Sequence, residues 1–126
     1  MESVKVKDVM IRRIYTIRPE KRIALARLRM LRHGIGALPV VDDDNNLLGI
    51  ITLRDIDLAG ERTYELNVED LMTTDLVTGS EDTPLIEIAE IMIQTSIQRI
   101  PIIEKGKLIG LITQTNVIKA TKNLLD

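Results

Sequence analysis

The sequence repeats itself at an offset of 62 residues: Val6-Lys7-Asp8-Val9-Met10 returns as Val68-Glu69-Asp70-Leu71-Met72, and Ile35 to Val41 (IGALPVV) returns as Ile97 to Ile103 (IQRIPII). One residue is lost in the turn that follows, after which Gly49-Ile50-Ile51-Thr52-Leu53-Arg54-Asp55 returns as Gly110-Leu111-Ile112-Thr113-Gln114-Thr115-Asn116. Two copies this long do not make a solenoid, which needs three or more short units to bury a continuous core. They are expected to pack as a pseudo-twofold pair, with equivalent surfaces opposed and function at the seam. The copies read as residues 4–60 and 68–122, joined by a linker at 61–67, together forming one compact module.

At 126 residues and 44% hydrophobic, the chain can bury a core without an external staple. It has no cysteine, which removes disulfides, thiolate metal sites and cysteine nucleophiles and fits a cytoplasmic protein. Its apolar runs are strand-sized, too short for a membrane helix, and the opening MESVKVKD lacks the apolar block of a signal peptide. Tyr15 and Tyr64 are the only aromatic residues apart from the single His33, so the stacking platforms of a single-strand nucleic-acid binder are missing.

Net charge is only -2, yet residues 1–40 hold ten Lys/Arg against three Asp/Glu, and the remainder seven against sixteen. Arg22, Arg27, Arg29 and Arg32 read as the solvated side of one helix. The same asymmetry would also attract a phosphorylated ligand, or the acidic half of a second copy.

Each repeat orders its elements β-α-β-β-α. A brief extended stretch (Ile14 to Ile17, and Leu76 to Thr78) precedes a helix whose buried stripe is Ile23, Ala26 and Met30 in one copy and Leu85, Ile88, Ala89 and Met92 in the other. Thr83 reads as an N-cap with Pro84 in the first helical position. Leu38 to Val41 and Leu47 to Ile51 then form a hairpin across Asp42-Asp43-Asp44-Asn45-Asn46, matched by a tight Lys105-Gly106 turn in the second copy. The near-continuous apolar character of these strands predicts burial on both faces. A second helix starts at Thr52 or Thr113, completing an α/β sandwich.

The Gly49-x-x-Thr52-x-x-Asp55 run admits two readings. Thr followed three residues later by Asp is a capping box. A helix N-terminus also suits a phosphate, and Asp55 could accept two hydrogen bonds from a ribose diol. Asn116, at the equivalent place, could accept one such bond without the strengthening charge.

Taken in order and twice over, the D-V-M opening, the helix ending in Met, the I-x-x-L-P-V strand at Ile35, Leu38, Pro39 and Val40, and the G-h-h-T-x-x-D close (h, hydrophobic) resemble the CBS domain. The resemblance covers about Val4 to Ala120, and the chain is similar to a stand-alone CBS pair (a Bateman module) like the regulatory pair of inosine monophosphate dehydrogenase. It implies tandem CBS repeats binding adenosine ligands in clefts between repeats: AMP, ADP or ATP, and less readily S-adenosylmethionine. By position it implies that Asp55 holds ribose hydroxyls and Thr52 a phosphate or ribose oxygen, with Thr113 and Asn116 as counterparts. Thr16 and Thr78 fall where base or ribose is contacted, and Arg99 where a basic residue binds phosphate. Arg18 and Arg54 lean toward a phosphorylated tail. Arg99 is matched by Ala37 in the first copy, so the two sites are not equivalent.

The resemblance also implies a homodimer acting on an effector protein. No catalytic cofactor, metal site or enzyme activity is expected. The sequence has no Gly-rich phosphate loop and no local nucleophile signature, and His33, before Gly34, reads as a helix-terminal residue. Asp42 to Asp44 lack the spaced ligands and closing Glu of a calcium loop. Two other functions stay open: a structural dimerisation module with vestigial sites, and a nucleic-acid binder using the basic N-terminal third.

Overall fold

The computed structural model describes residues 4–125; Met1 to Ser3, part of the opening read as lacking a signal peptide, and Asp126 lie outside them. Its elements run α1 (Ile23–His33), β1 (Ala37–Val41), β2 (Leu47–Thr52), α2 (Leu53–Ala59), α3 (Val68–Leu71), α4 (Leu85–Thr95), β3 (Arg99–Glu104), β4 (Lys107–Thr113) and α5 (Gln114–Leu125), with 3-10 turns at Val6–Asp8 and Gly60–Glu65. Among the described residues, no helix is long and apolar enough to cross a membrane.

The chain divides into two compact units, and their borders are not those of the sequence repeats. One unit is Tyr15–Leu76; the other joins the stretch up to Ile14 with that from Val77 onward. Each unit therefore carries the opening segment of the other repeat. In the Tyr15–Leu76 unit, Val68 is fully buried beside Ile17, Ile23, Ala26, Met30, Leu38, Val40, Ile51 and Ile56. In the other unit, Val6 is fully buried beside Leu85, Ile88, Ile100, Ile102 and Ile112. Backbone bonds fasten both segments: Val68 N–H to Lys21 O at 2.8 Å and Glu69 N–H to Pro19 O at 2.9 Å, and correspondingly Val6 N–H to Thr83 O at 2.9 Å and Lys7 N–H to Glu81 O at 3.0 Å.

This exchange explains the glycine and the methionine of the repeated motifs. Gly49 lies in β2, where an added Cβ would stand 2.7 Å from Thr73 O and 2.9 Å from Met72 Sδ. Gly110 lies in β4, where a Cβ would run into Met10 Sδ. At Gly49 the nearest atom is backbone, so only a residue without a side chain lets the incoming segment approach so closely; at Gly110 the space is filled by the flexible Met10 side chain. Ile50 and Thr73 then exchange two backbone bonds, as do Ile11 and Leu111.

The stripes expected at Ile23, Ala26 and Met30 and at Leu85, Ile88 and Met92 are the buried faces of α1 and α4, with Ala89 half-buried. Both hairpins form as read, Ala37 pairing with Thr52 and Arg99 with Thr113. In the first turn, Asp42 Oδ1 accepts from the N–H groups of Asp44 and Asn46, closing the loop locally. In the second, Lys105 and Gly106 both have positive φ, the geometry of a two-residue hairpin turn. Burial of β1 is continuous along its length, whereas β4 alternates.

Two details differ from the sequence reading. The opening strand of each repeat shrinks to a single parallel bridge, Ile17 to Val40 and Gly79 to Ile102. Thr83 is not the N-cap of α4; that position belongs to Pro84, extended at ψ 137°, whose carbonyl accepts from Glu87 N–H. Thr83 is held in the preceding turn instead, its hydroxyl accepting from Ser80 N–H and its carbonyl from Val6 N–H.

Candidate functional site

In the Tyr15–Leu76 unit the chain leaves β2 at Thr52 and enters α2 at once. Thr52 caps that helix: its hydroxyl oxygen accepts from Asp55 N–H at 3.1 Å, and Asp55 Oδ2 accepts from Thr52 N–H at 2.9 Å. The capping box is thus real, and it consumes only part of what the two side chains offer. Asp55 Oδ1 has no hydrogen-bond or ion-pair partner among the described residues, and neither does the Thr52 hydroxyl proton. Both side chains are half-buried. The pair presents an ionised acceptor and a neutral donor side by side.

The equivalent junction in the other unit has different polarity. Asn116 Oδ1 accepts from Thr113 N–H at 2.9 Å and from the Thr113 hydroxyl at 2.7 Å, while Thr113 Oγ1 accepts from Asn116 N–H at 3.2 Å. Because Thr113 N–H demands an acceptor, the amide oxygen must face it, leaving Asn116 Nδ2 as the open group. Across the hairpin Arg99 pairs in register with Thr113, placing a cation next to this junction. Ala37 takes that place opposite Thr52. One junction therefore offers a carboxylate oxygen suited to hydroxyl groups beside one hydroxyl donor, and the other offers donors suited to an anion.

The remaining candidate residues flank the bridges. Thr16 and Arg18 bracket Ile17 on the far side of β1 from β2, and Thr78 precedes Gly79, likewise beyond β3 from β4. Thr16 is half-buried and its carbonyl accepts from Arg29 Nη1 at 2.6 Å, whereas Thr78 is exposed. Arg18 is ion-paired with Asp43 of the β1–β2 turn, so meeting a phosphate requires it to leave that carboxylate. Arg54 projects from the first turn of α2, exposed.

Sequence reasoning placed Arg29 among solvated arginines, and the structure corrects this: the guanidinium turns inward to a carbonyl. Arg27 pairs with Asp57 at 3.7 Å, both ends well exposed. His33 ends α1 as read, but its ring stacks on Tyr15, with centroids 3.7 Å apart. Nothing local in the sequence marks these contacts, since each joins residues more than ten positions apart. Among the described residues, no three His, Cys, Asp or Glu side chains gather as a metal site requires.

Comparison with known proteins identifies the repeated unit. The sequence model of the CBS domain matches residues 6–60 and 68–123. Inosine-5'-monophosphate dehydrogenase of Methanocaldococcus jannaschii is 35% identical over 119 residues, which is 94% of this chain and 24% of that enzyme. The chain thus spans about a quarter of that relative's length. CBSX2 of Arabidopsis thaliana in complex with AMP superposes with a TM-score of 0.89 at 27% identity, over 98% of this chain and 100% of its own. The CBS domain pair of protein MJ0100, in complex with 5-methylthioadenosine and S-adenosyl-L-methionine, superposes at 0.87 and 27%, over 96% and 98%.

Proposed function

This chain belongs to the CBS-domain family, both of its repeats being CBS domains, and from that premise we propose that it is a regulatory module which binds an adenosine nucleotide, AMP, ADP or ATP, and catalyses no reaction. The observation that carries the reading is Asp55. A capping aspartate needs one carboxylate oxygen, and this one keeps Oδ1 open beside an open Thr52 hydroxyl proton. A ribose diol supplies the two donors that such a carboxylate accepts. Arg99, next to Thr113 and Asn116, supplies the donors a phosphate accepts. The solved relatives hold AMP in one case and methylthioadenosine with S-adenosylmethionine in the other. In the Tyr15–Leu76 unit Arg54, and Arg18 once it leaves Asp43, favour a phosphorylated ligand, as Arg99 does in the other unit, because a sulfonium is repelled by nearby cations.

Ligand can act only by binding two states unequally. We place the second state at an interface between two copies, with an effector protein reading the change in the cytoplasm. The helices leave apolar side chains exposed: Leu28 and Leu31 on α1, Ile93 on α4 and Ile118 on α5. Helix α1 carries Arg27, Arg29 and Arg32 with no acidic residue, and α4 carries Glu87 and Glu90 with no basic one. Opposite charge favours α1 of one copy against α4 of the other.

The test is a thermal-shift panel with AMP, ADP, ATP, S-adenosylmethionine and GMP, run beside light scattering. A ligand at about a hundred times its Kd stabilises the folded protein by about 2.7 kcal/mol. Shifts with the adenosine nucleotides that vanish in Asp55→Ala and Thr113→Ala support the proposal. A dimer that shows no shift with any of them supports a structural dimerisation module instead.

A further inference from the structure

Helix α1 holds the segment that enters the sheet of the Tyr15–Leu76 unit at successive residues. The Tyr15 ring lies on His33, its plane inclined by only 13°. The Thr16 carbonyl accepts from Arg29 Nη1 at 2.6 Å. Ile17 is bonded through both backbone groups to β1, its N–H to Pro39 O at 3.1 Å and its carbonyl from Val41 N–H at 3.0 Å. The chain is thus pinned on either side of Thr16 and through its carbonyl. The Thr16 N–H and hydroxyl are left without a hydrogen bond among the described residues.

The other unit has no such device. The repeat offset carries Tyr15 to Val77, Arg29 to Ile91 and His33 to Thr95, so neither the guanidinium nor the ring pair has a counterpart. Arg29 follows Ala26 and precedes Met30, both in the core, and its side chain is half-buried. A cation placed there loses solvent and needs an acceptor. A charge-assisted bond to a carbonyl is shorter and stronger than a neutral one, which makes this tether selective for one peptide orientation.

We propose that Arg29 is a positioning residue for ligand: by holding the Thr16 carbonyl against α1, it fixes the Thr16–Ile17 peptide while the Tyr15–His33 stack holds the chain before it, so that the Thr16 N–H and hydroxyl stay available to an adenosine ligand. The inference rests on the adenosine reading of this unit and adds to it a part for a residue that need not touch the ligand. Pre-organisation of this kind lowers the ordering cost of binding. It also ties ligand contact to the helix that exposes Leu28 and Leu31.

Calorimetric titration of AMP and of uncharged adenosine into wild type, Arg29→Met, Arg29→Lys and Asp55→Ala tests this. Arg29→Met should bind both ligands about tenfold more weakly, which corresponds to about 1.4 kcal/mol. Arg29→Lys, which keeps a charge and a donor, should return most of the loss for both. Weakening confined to AMP would overturn the proposal, since Arg29 would then act on the phosphate through its charge. Unchanged binding in Arg29→Met, with Asp55→Ala still defective, would overturn it as well and leave the adenosine reading standing. Absence of binding by wild type would defeat that reading itself. Should Arg29→Met melt below the assay temperature, Arg29→Gln, whose shorter neutral side chain cannot keep the tether, should again weaken AMP and adenosine together, and weakening of AMP alone or of neither would overturn the proposal.

Discussion

Adding one methyl group at Gly49 or at Gly110 should have unequal consequences, although the two glycines hold the same place in the repeat. At Gly49 the new Cβ meets Thr73 O at 2.7 Å, a backbone atom that accepts from Ile50 N–H at 2.9 Å. Relieving that contact means moving the exchanged segment away from β2 and weakening both bonds between Ile50 and Thr73. Overpacking costs about 1–3 kcal/mol, and each weakened hydrogen bond up to about 1 kcal/mol, so Gly49→Ala should lose about 2–4 kcal/mol. At Gly110 the three nearest atoms all belong to Met10: Sδ first, then Cγ at 3.1 Å and Cε at 3.2 Å. A thioether chain can change rotamer, so Gly110→Ala should lose about 1–2 kcal/mol.

Urea denaturation followed by circular dichroism measures both, and a double-mutant cycle separates the causes. In a Met10→Ala background the cost of Gly110→Ala should nearly vanish, a coupling of about 1 kcal/mol or more. In a Met72→Ala background Gly49→Ala should stay costly, because the carbonyl of Thr73 does not depend on that side chain. Equal losses at the two glycines, or full rescue of Gly49→Ala by Met72→Ala, would refute the argument that backbone contact sets the cost.

Two further perturbations follow from the same structure. A fragment of residues 15–76 contains everything that lines its own core, including Val68, and should unfold cooperatively in urea, whereas residues 4–60, a complete sequence repeat, lack Val68 and should not; equal behaviour would contradict the segment exchange. Helix α1 ends at Gly34 with φ 63°, and Ile35 N–H returns to Met30 O; α4 ends at Ser96 with φ 61°. Left-handed backbone costs a non-glycine residue about 1 kcal/mol, so Ser96→Gly should raise stability by about 0.5–1 kcal/mol and Gly34→Ala should lower it by about 1 kcal/mol, both readable from denaturation midpoints.

Much of the local structure was legible because it is written in spacing. Ile23, Ala26 and Met30 recur at the helical period, Lys105-Gly106 is a turn dipeptide, and Thr52 and Asp55 stand three apart as a capping box requires. The destination of Val6 and Met10 was not legible. An apolar residue ahead of a repeat has the same local pattern whether it packs on its own strands or on those of the next repeat. The partner is chosen by long-range fit to Gly110, not by neighbours in sequence. Tertiary pairing also decided the arginines: Arg18 finds Asp43 and Arg29 finds the Thr16 carbonyl, although both read simply as cations. Residue types at the Thr113–Asn116 junction were apparent in advance, but its polarity emerged only when both of its backbone N–H groups had to be satisfied.

The central claim is that Asp55 marks an adenosine site, and calorimetric titration of AMP into wild type and into Asp55→Asn tests it most directly. Asparagine can preserve the capping bond to Thr52 N–H while removing the charge that strengthens acceptance from ribose hydroxyls. The account predicts saturable AMP binding by wild type, at least about tenfold weaker in Asp55→Asn, with the denaturation midpoint nearly unchanged. Binding of AMP with equal affinity by both proteins, or no binding by wild type, would contradict it.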